Sequence, residues 1–162
     1  IFFNALKSCI EEYPEKKIKF RFVGATPWTI KEKAKELGIE DHCEWIGHVD
    51  HDEAIQYMRK SDYLLLIIPD APGAEGILTG KLFEYLGAGK AIIGVGPKNG
   101  DAAKIIDRCE AGKMFERNEK TSFEQWMKEL ISAGVSKSFG NEKVKEYERR
   151  QLTKTLTQVL NK

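Results

Sequence analysis

The chain has 162 residues, with 26 Lys and Arg against 25 Asp and Glu and a formal net charge of +1. This length suits one domain with a sizeable core. The balanced charge gives no support for a nucleic-acid partner or a polybasic membrane patch. The longest apolar run, residues 63–69, is too short to span a bilayer. The three cysteines, Cys9, Cys43 and Cys109, lack metal-type spacing, and their scattered positions predict reduced thiols and a cytoplasmic location.

Strand-type and helix-type segments alternate along the chain. The predicted strands are residues 18–23, 43–46, 63–68, 91–95 and 113–115. The predicted helices are residues 2–13, 29–37, 52–59, a short helix after Leu78, 101–108, 121–133 and 142–160. We expect Asp50 or His51 near the cap of the third helix and Asp101 at the cap of the fifth.

The alternation predicts βαβ units and a parallel sheet. The continuous apolar strand at residues 63–68 indicates burial on both faces of that sheet. We therefore expect an α/β fold, a three-layer, Rossmann-like, doubly wound parallel sheet. Ligands of such sheets bind beyond the carboxyl ends of the strands. These ends are the loops after Val23, Ile46, Ile68 and Val95.

The segment Glu75–Gly96 combines a loop, a short helix, a glycine turn and a buried strand. At about 100° per residue its helix has one apolar face and one face of small residues around Glu84. The apolar face comprises Leu82, Phe83 and Leu86; the other comprises Gly80, Glu84, Gly87 and Ala88, with Lys81 at its edge. A helix N-terminus attracts anions, so the segment predicts a site for a phosphorylated, hydroxyl-bearing ligand. The alternative is an ordinary helix with a solvated glutamate.

Other motifs are weaker. The loop from Gly94 to Gly100 has one residue too many for a dinucleotide fingerprint, and Pro97 removes a backbone donor. We interpret this loop as a turn between a strand and a helix. The histidines at 42, 48 and 51 have no metal-ligand pattern, and we expect no metal site. His48 follows Gly47 at a predicted strand end and stays a ligand-pocket candidate.

Four stretches together resemble a known family. They are residues 45–49, 54–58, 61–66 and 80–90, the last reading GKLFEYLGAGK. They are similar to the C-terminal, donor-binding domain of retaining GT-B glycosyltransferases of family four, the group 1 type. The resemblance covers nearly the whole chain. It implies a nucleotide-diphosphate sugar as donor substrate, with no cofactor and no metal.

The resemblance also implies residue roles in the short helix. Glu84 matches the second acid of the family's paired-glutamate motif, which holds the ribose hydroxyls of the nucleotide. The helix start, which comprises Thr79, Gly80, Lys81 and Leu82, matches the part of the family that meets the diphosphate.

Two earlier loops receive roles from the same resemblance. Gly47, His48 and Val49 match the loop near the nucleobase, and Gly24 matches a glycine that lines the donor cleft. No catalytic residue is assigned.

The chain departs from the family's pattern in two ways. The family's first glutamate would fall at Gly76, and Glu75 is one residue out of register. The family's first strand of this domain and its acceptor-binding N-terminal domain would precede Ile1. We therefore interpret residues 1–162 as a single nucleotide-sugar-binding domain of a larger protein. A glycan or lipid-linked acceptor, and any peripheral membrane association, would involve the full-length protein.

Two other functions stay open. A sugar-nucleotide 2-epimerase shares the GT-B architecture and would turn over the donor without an acceptor. A non-catalytic, receiver-like regulatory module would need an acidic cluster followed by Thr or Ser and Lys at later strand ends. Asp70, Thr79 and Lys90 do not follow that order.

Overall fold

The computed structural model describes residues 1–134 and 139–160, which form alternating helices and strands. The strands are β1 (Phe20–Val23), β2 (Cys43–Ile46), β3 (Tyr63–Ile67), β4 (Ala91–Val95) and β5 (Gly112–Phe115). The α-helices are α1 (Phe2–Glu12), α2 (Trp28–Glu36), α3 (His51–Lys60), α4 (Gly80–Ala88), α5 (Asp101–Arg108), α6 (Lys120–Ala133) and α7 (Arg149–Leu160). Short 3-10 helices cover Glu40–His42, Ala74–Gly76 and Glu142–Tyr147.

The chain divides into two compact units. The first contains residues 1–57 and the described part of 117–136, and the second contains residues 58–116 and the described part of 137–162. All paired strands are parallel, in one sheet of order β1-β2 and another of order β3-β4-β5. The predicted α/β class with parallel strands is thus confirmed. The strands pair as two separate sheets, because backbone hydrogen bonds join β1 only to β2 and β3 only to β4 among the described residues.

The first unit is held together by aromatic packing. Phe20 and Phe22 lie on one face of β1, and their rings meet edge to face at 4.5 Å. Phe22 also stacks on Trp45 of β2 at 4.4 Å, and Phe2 of α1 meets Phe20 at 4.6 Å. Such aromatic pairs add to the free energy gained by burying the rings.

Ion pairs join α1 to α6 in the same unit. Lys128 forms salt bridges with Glu12 at 2.8 Å and with Glu124 at 2.9 Å. The Ser8 hydroxyl donates to Glu124 at 2.6 Å. These contacts raise the pKa of the Lys128 ammonium, mainly through its hydrogen bonds to the two carboxylates.

The core of the second unit centres on β4, of which every residue is buried. Ile92 pairs with Leu64 of β3 on one side and with Gly112 of β5 on the other. Gly112 has φ +152°, and a Cβ there would lie 2.0 Å from the carbonyl oxygen of Ile92. Only glycine allows β5 to approach β4 this closely.

Two predicted features of the helices need correction. α5 begins at Asp101 with Gly100 as its N-cap, and the Asp101 carboxylate pairs with Lys104 at 2.9 Å instead of capping the helix. The predicted helix over 142–160 is divided at Glu148, whose backbone is extended at φ −65° and ψ 137°. Val144 and Tyr147 pack against the core before that break, while α7 after it is exposed.

The expected cap of α3 is confirmed for Asp50. Its carboxylate accepts from the Glu53 N–H at 2.8 Å, and its carbonyl accepts from the Ala54 N–H at 3.0 Å. Within residues 1–134 and 139–160, no helix has both the length and the apolar character needed to cross a bilayer.

Candidate functional site

The packing of α4 fixes which side of the helix faces outward. Leu82 and Leu86 are only 0% and 4% exposed, and Phe83 packs against the same core and against the Tyr147 ring at 6.0 Å. Gly89 ends the helix with φ +65°, a conformation that glycine adopts without strain. The predicted apolar face is therefore the buried face, which directs the small-residue face away from the core.

The outward face of α4 is open around Glu84. A Cβ built on Gly80 or Gly87, one turn to either side, would meet no heavy atom within 4 Å. Glu84 is half-buried, and its carboxylate has no hydrogen-bond or ion-pair partner in the described part of the chain. A carboxylate in this setting can accept hydrogen bonds from two hydroxyl groups of a ligand.

The next residue, Tyr85, contacts strand β3. Its hydroxyl lies 3.4 Å from the carbonyl oxygen of Leu65 in β3. Burial raises the pKa of Tyr85, and the negative charge of Glu84 raises it further. Tyr85 thus anchors α4 to the sheet.

The N-terminus of α4 has unused hydrogen-bonding groups. Thr79 is the N-cap, but its side chain makes no capping bond, and its Oγ1 is buried without a partner. The Leu82 N–H donates to the Thr79 carbonyl at 3.1 Å. For the N–H groups of Gly80 and Lys81 no acceptor exists among the described residues, as expected for the first helical positions.

The charge at this helix start is unusual. Lys81 is exposed in the first turn, where the positive end of the helix dipole disfavours a cation. An anion bound there would accept from the free N–H groups and relieve that repulsion. Four residues were predicted to meet the diphosphate. Leu82 cannot, because its side chain lies in the core and its N–H already donates to Thr79. The groups without a partner are the Thr79 hydroxyl and the N–H groups of Gly80 and Lys81.

The loop that contains Glu75 and Gly76 is fixed by its backbone. Glu75 lies in the 3-10 helix Ala74–Gly76, which is anchored by the buried Ala74. A Cβ on Gly100 would lie 3.0 Å from the Glu75 carbonyl oxygen. The Glu75 side chain is exposed and Gly76 has open space at its Cβ position, so both residues are accessible.

In the first unit the structure brings two predicted site residues together. The Gly24 N–H donates to the carbonyl oxygens of both Ile46 and Gly47, at 3.1 Å each. Gly24 has φ +107°, which a side chain rarely permits. His48 is exposed and Val49 is half-buried just beyond this junction. The ends of β1 and β2 thus form one edge, as parallel strands require.

The histidines do not form a metal site. His42 Nδ1 is 2.9 Å from the Ile18 carbonyl oxygen, while His48 and His51 are exposed. Across residues 1–134 and 139–160, no group of three His, Cys, Asp or Glu side chains is arranged to hold a metal ion.

The glycines of the 94–100 loop have packing roles. A Cβ would lie 2.8 Å from the Met114 sulfur at Gly94 and 2.7 Å from the Ile68 Cβ at Gly96. Close packing, and not a cradle for phosphates, therefore explains these glycines.

Sequence reasoning assigned no role to Gly100 in the second unit or to two exposed side chains in the first unit. Gly100 supports the Glu75 loop through a contact between positions 25 residues apart, which residue spacing does not reveal. Trp28, the first residue of α2, is 67% exposed, and Val23 at the end of β1 is 39% exposed. The run from Gly24 to Trp28, with its glycine and proline before an aromatic residue, was the available signal.

The comparisons with known proteins identify the family. A family model described as "Glycosyl transferases group 1" matches residues 1–133. The chain belongs to this family. A sequence comparison with curated proteins finds no match.

Solved structures of glycosyltransferases share the fold of this group 1 domain. WaaG, a glycosyltransferase involved in lipopolysaccharide biosynthesis, is 17% identical with a TM-score of 0.62, over 80% of this chain and 33% of WaaG. Alr3699/HepE from Anabaena, solved in complex with UDP, is 18% identical with a TM-score of 0.63, over 96% of this chain and 44% of HepE. The chain thus spans less than half the length of either protein, and at these identities the likeness establishes the fold.

Proposed function

We propose that this chain is the donor-binding part of a retaining glycosyltransferase that uses a nucleotide-diphosphate sugar. The observation that carries the proposal is the start of α4, where Thr79 Oγ1 is buried without a partner beside the free N–H groups of Gly80 and Lys81. Family membership supports glycosyl transfer as the reaction class.

The diphosphate of the donor is proposed to bind at this helix start. Its oxygens would accept from the free N–H groups and the Thr79 hydroxyl, and Lys81 would supply a positive charge. When the bond from the sugar to the diphosphate breaks, negative charge grows on the leaving oxygen. Positive groups already in place stabilise that charge, so the proposed mechanism needs no metal and no cofactor.

Glu84 is proposed to accept hydrogen bonds from the two ribose hydroxyls. Its carboxylate has no protein partner to give up among the described residues, and the open positions at Gly80 and Gly87 let a ligand approach the helix. Glu75 would contact the donor sugar through its exposed side chain, because the Gly76 N–H already donates to the Gly73 carbonyl at 3.1 Å. For Gly24, Gly47, His48 and Val49 of the first unit, the nucleoside contact that the resemblance implies stays a prediction.

The acceptor is proposed to be a glycan or a lipid-linked sugar, bound by a part of the full-length protein outside this single domain. We place the protein in the cytoplasm, which the buried free thiols of Cys9, Cys43 and Cys109 support. No structural observation favours a 2-epimerase or a receiver-like module.

Calorimetric titration of the 162-residue chain with UDP, GDP and ADP tests the proposal. We expect weak, saturable binding of at least one nucleotide and no sugar transfer by this chain alone. Titration with uridine and with inorganic diphosphate separates the nucleoside contribution from the phosphate contribution. Absence of saturable binding for all three nucleotides, with circular dichroism showing a folded protein, would overturn the proposal.

A further inference from the structure

The loop between β3 and α4 carries negative charge without positive charge. Residues 61–80 contain no Lys or Arg, and the segment 69–76, here called the acidic loop, contains Asp70 and Glu75. Both side chains are exposed, and neither has an ion pair or a side-chain hydrogen bond in the described part of the chain. The two carboxylates are therefore available to a ligand.

The backbone of the acidic loop is held in place. Ala74 is 6% exposed, its N–H donates to the Ala71 carbonyl at 3.0 Å, and its carbonyl accepts from the Ile77 N–H at 3.2 Å. The Glu75 backbone packs against Gly100, the N-cap of α5. The Glu75 carboxylate therefore extends from a fixed position.

Glu75 lies close to the start of α4. An extended chain advances at most about 3.6 Å per residue, so the Cα atoms of Glu75 and Thr79 lie within about 14 Å of each other. The proposed function places the diphosphate at Thr79, and the donor sugar is bonded directly to that diphosphate. The sugar of a bound donor is therefore within reach of the acidic loop.

The positive side chains near this loop have other partners or roles. Lys104 of α5 pairs with Asp101 at 2.9 Å, and Lys98, in the turn after β4, has an interaction of its own. Lys81 lies in the first turn of α4, where the proposed function assigns it to the diphosphate. The other basic residues of 61–110 lie at the C-terminal ends of α4 and α5 and are Lys90 and Arg108.

We propose that the acidic loop restricts the donor to sugars that carry no carboxylate. This inference rests on the proposed function and names the class of donor sugar. The hydroxyl groups of a neutral sugar donate to the Glu75 carboxylate. The carboxylate of a uronic acid meets like charge there, with no free cation to pair with it, and such a contact selects against that ligand.

Calorimetric titration of the 162-residue chain with two matched donors tests the inference. They are the glucose and the glucuronate derivatives of whichever of UDP, GDP and ADP binds, so the ratio of their Kd values isolates the charge on the sugar. We expect the glucose derivative to bind at least about tenfold more tightly, and the ratio to shrink at high salt. Equal Kd values would overturn the inference and leave the proposed function intact.

Matched variants locate the discrimination. Asp70→Asn with Glu75→Gln removes two negative charges from the acidic loop and should bring the two Kd values to within about threefold of each other. Glu32→Gln with Asp107→Asn removes the same charge at exposed positions elsewhere and should leave the ratio unchanged. An unchanged ratio in the loop variant, or an equal fall in both variants, would overturn the assignment to the acidic loop. Absence of saturable binding by all three nucleotides would overturn the proposed function, and this inference with it.

Discussion

The backbone of Glu75 packs directly against Gly100. A Cβ at position 100 would lie 3.0 Å from the Glu75 carbonyl oxygen and 3.3 Å from its Cα. Gly100 is the buried N-cap of α5, so the start of one helix determines where the loop before another helix lies. The position of Glu75 relative to α4 therefore depends on the missing side chain at residue 100.

Gly100→Ala should destabilise the chain and displace the Glu75 loop. The added methyl group meets two backbone carbonyls, of Glu75 and Pro97, at 3.0 and 3.1 Å. Overpacking of this kind costs about 1–3 kcal/mol, and alanine is also a poor N-cap. Urea unfolding measures the free energy of unfolding.

Gly87→Ala is the matched control for that substitution. A Cβ there meets nothing within 4 Å, and alanine in a helix interior is more favourable than glycine by about 0.5–1 kcal/mol. We expect Gly87→Ala to increase the free energy of unfolding. A Gly100→Ala protein as stable as the unmodified chain would contradict the close packing of Glu75.

Glu84→Gln should weaken nucleotide binding without unfolding the protein. Loss of a charged acceptor costs roughly 1.5–3 kcal/mol, or about 10- to 150-fold in Kd. Calorimetric titration measures the change in Kd, and Glu32→Gln on the exposed surface of α2 is the control. Unchanged affinity in Glu84→Gln would remove Glu84 from the site.

Thr79→Val separates binding from stability. Valine has nearly the same shape but lacks the hydroxyl, which is buried here without a partner. Removing an unsatisfied buried group recovers up to about 1–3 kcal/mol, so stability should stay equal or rise while nucleotide affinity falls. The paired measurements are urea unfolding and calorimetric titration. A fall in stability together with unchanged affinity would show that the hydroxyl is structural.

Alkaline pH should destabilise the fold through Cys9. Burial raises the pKa of the Cys9 thiol from its ordinary 9.0 to about 11, and the positive charge of Lys128 opposes that rise. In the unfolded chain the thiol ionises near its ordinary pKa. The stability that Cys9 contributes is therefore fully present below pH 9 and is lost as the pH rises toward 11.

The loss is about 2.7 kcal/mol for a rise of the pKa from 9.0 to about 11. Urea unfolding of the unmodified chain and of Cys9→Ala between pH 7 and 11 isolates it, because other groups titrate equally in both proteins. We expect a shallower pH dependence for Cys9→Ala. Identical slopes would show that Cys9 keeps an ordinary pKa in the folded chain.

The spacing of apolar residues correctly predicted which side chains are buried where a helix packs against the core along one face. In α4 the apolar spacing placed Leu82 and Leu86 in the core and Glu84 on the open side, and both are observed. The N-cap of α3 at Asp50 was also predictable from the sequence, because the capping hydrogen bond joins residues three positions apart.

The sequence pattern gave a wrong prediction where contacts between distant residues determine the local structure. Residues 142–160 have helical spacing throughout, yet Val144 and Tyr147 pack against the core and the chain extends at Glu148 before α7. Asp101 has a capping side chain, but Gly100 occupies the cap because the Glu75 backbone excludes a side chain there. The balanced net charge likewise concealed a helix without acidic residues.

The sequence by itself determined the order of strands and helices, the buried face of α4 and the family. The expected burial of β3 on both faces was wrong, because Ile67 is 50% exposed. Periodicity and turn chemistry act between near neighbours, and residue order records them directly. Only the tertiary structure decided the pairing of the strands into sheets of order β1-β2 and β3-β4-β5. It also decided the close packing of the Glu75 backbone against Gly100 and the burial of the Thr79 hydroxyl without a partner. These features depend on atoms far apart in the chain that reach each other only once the backbone has folded.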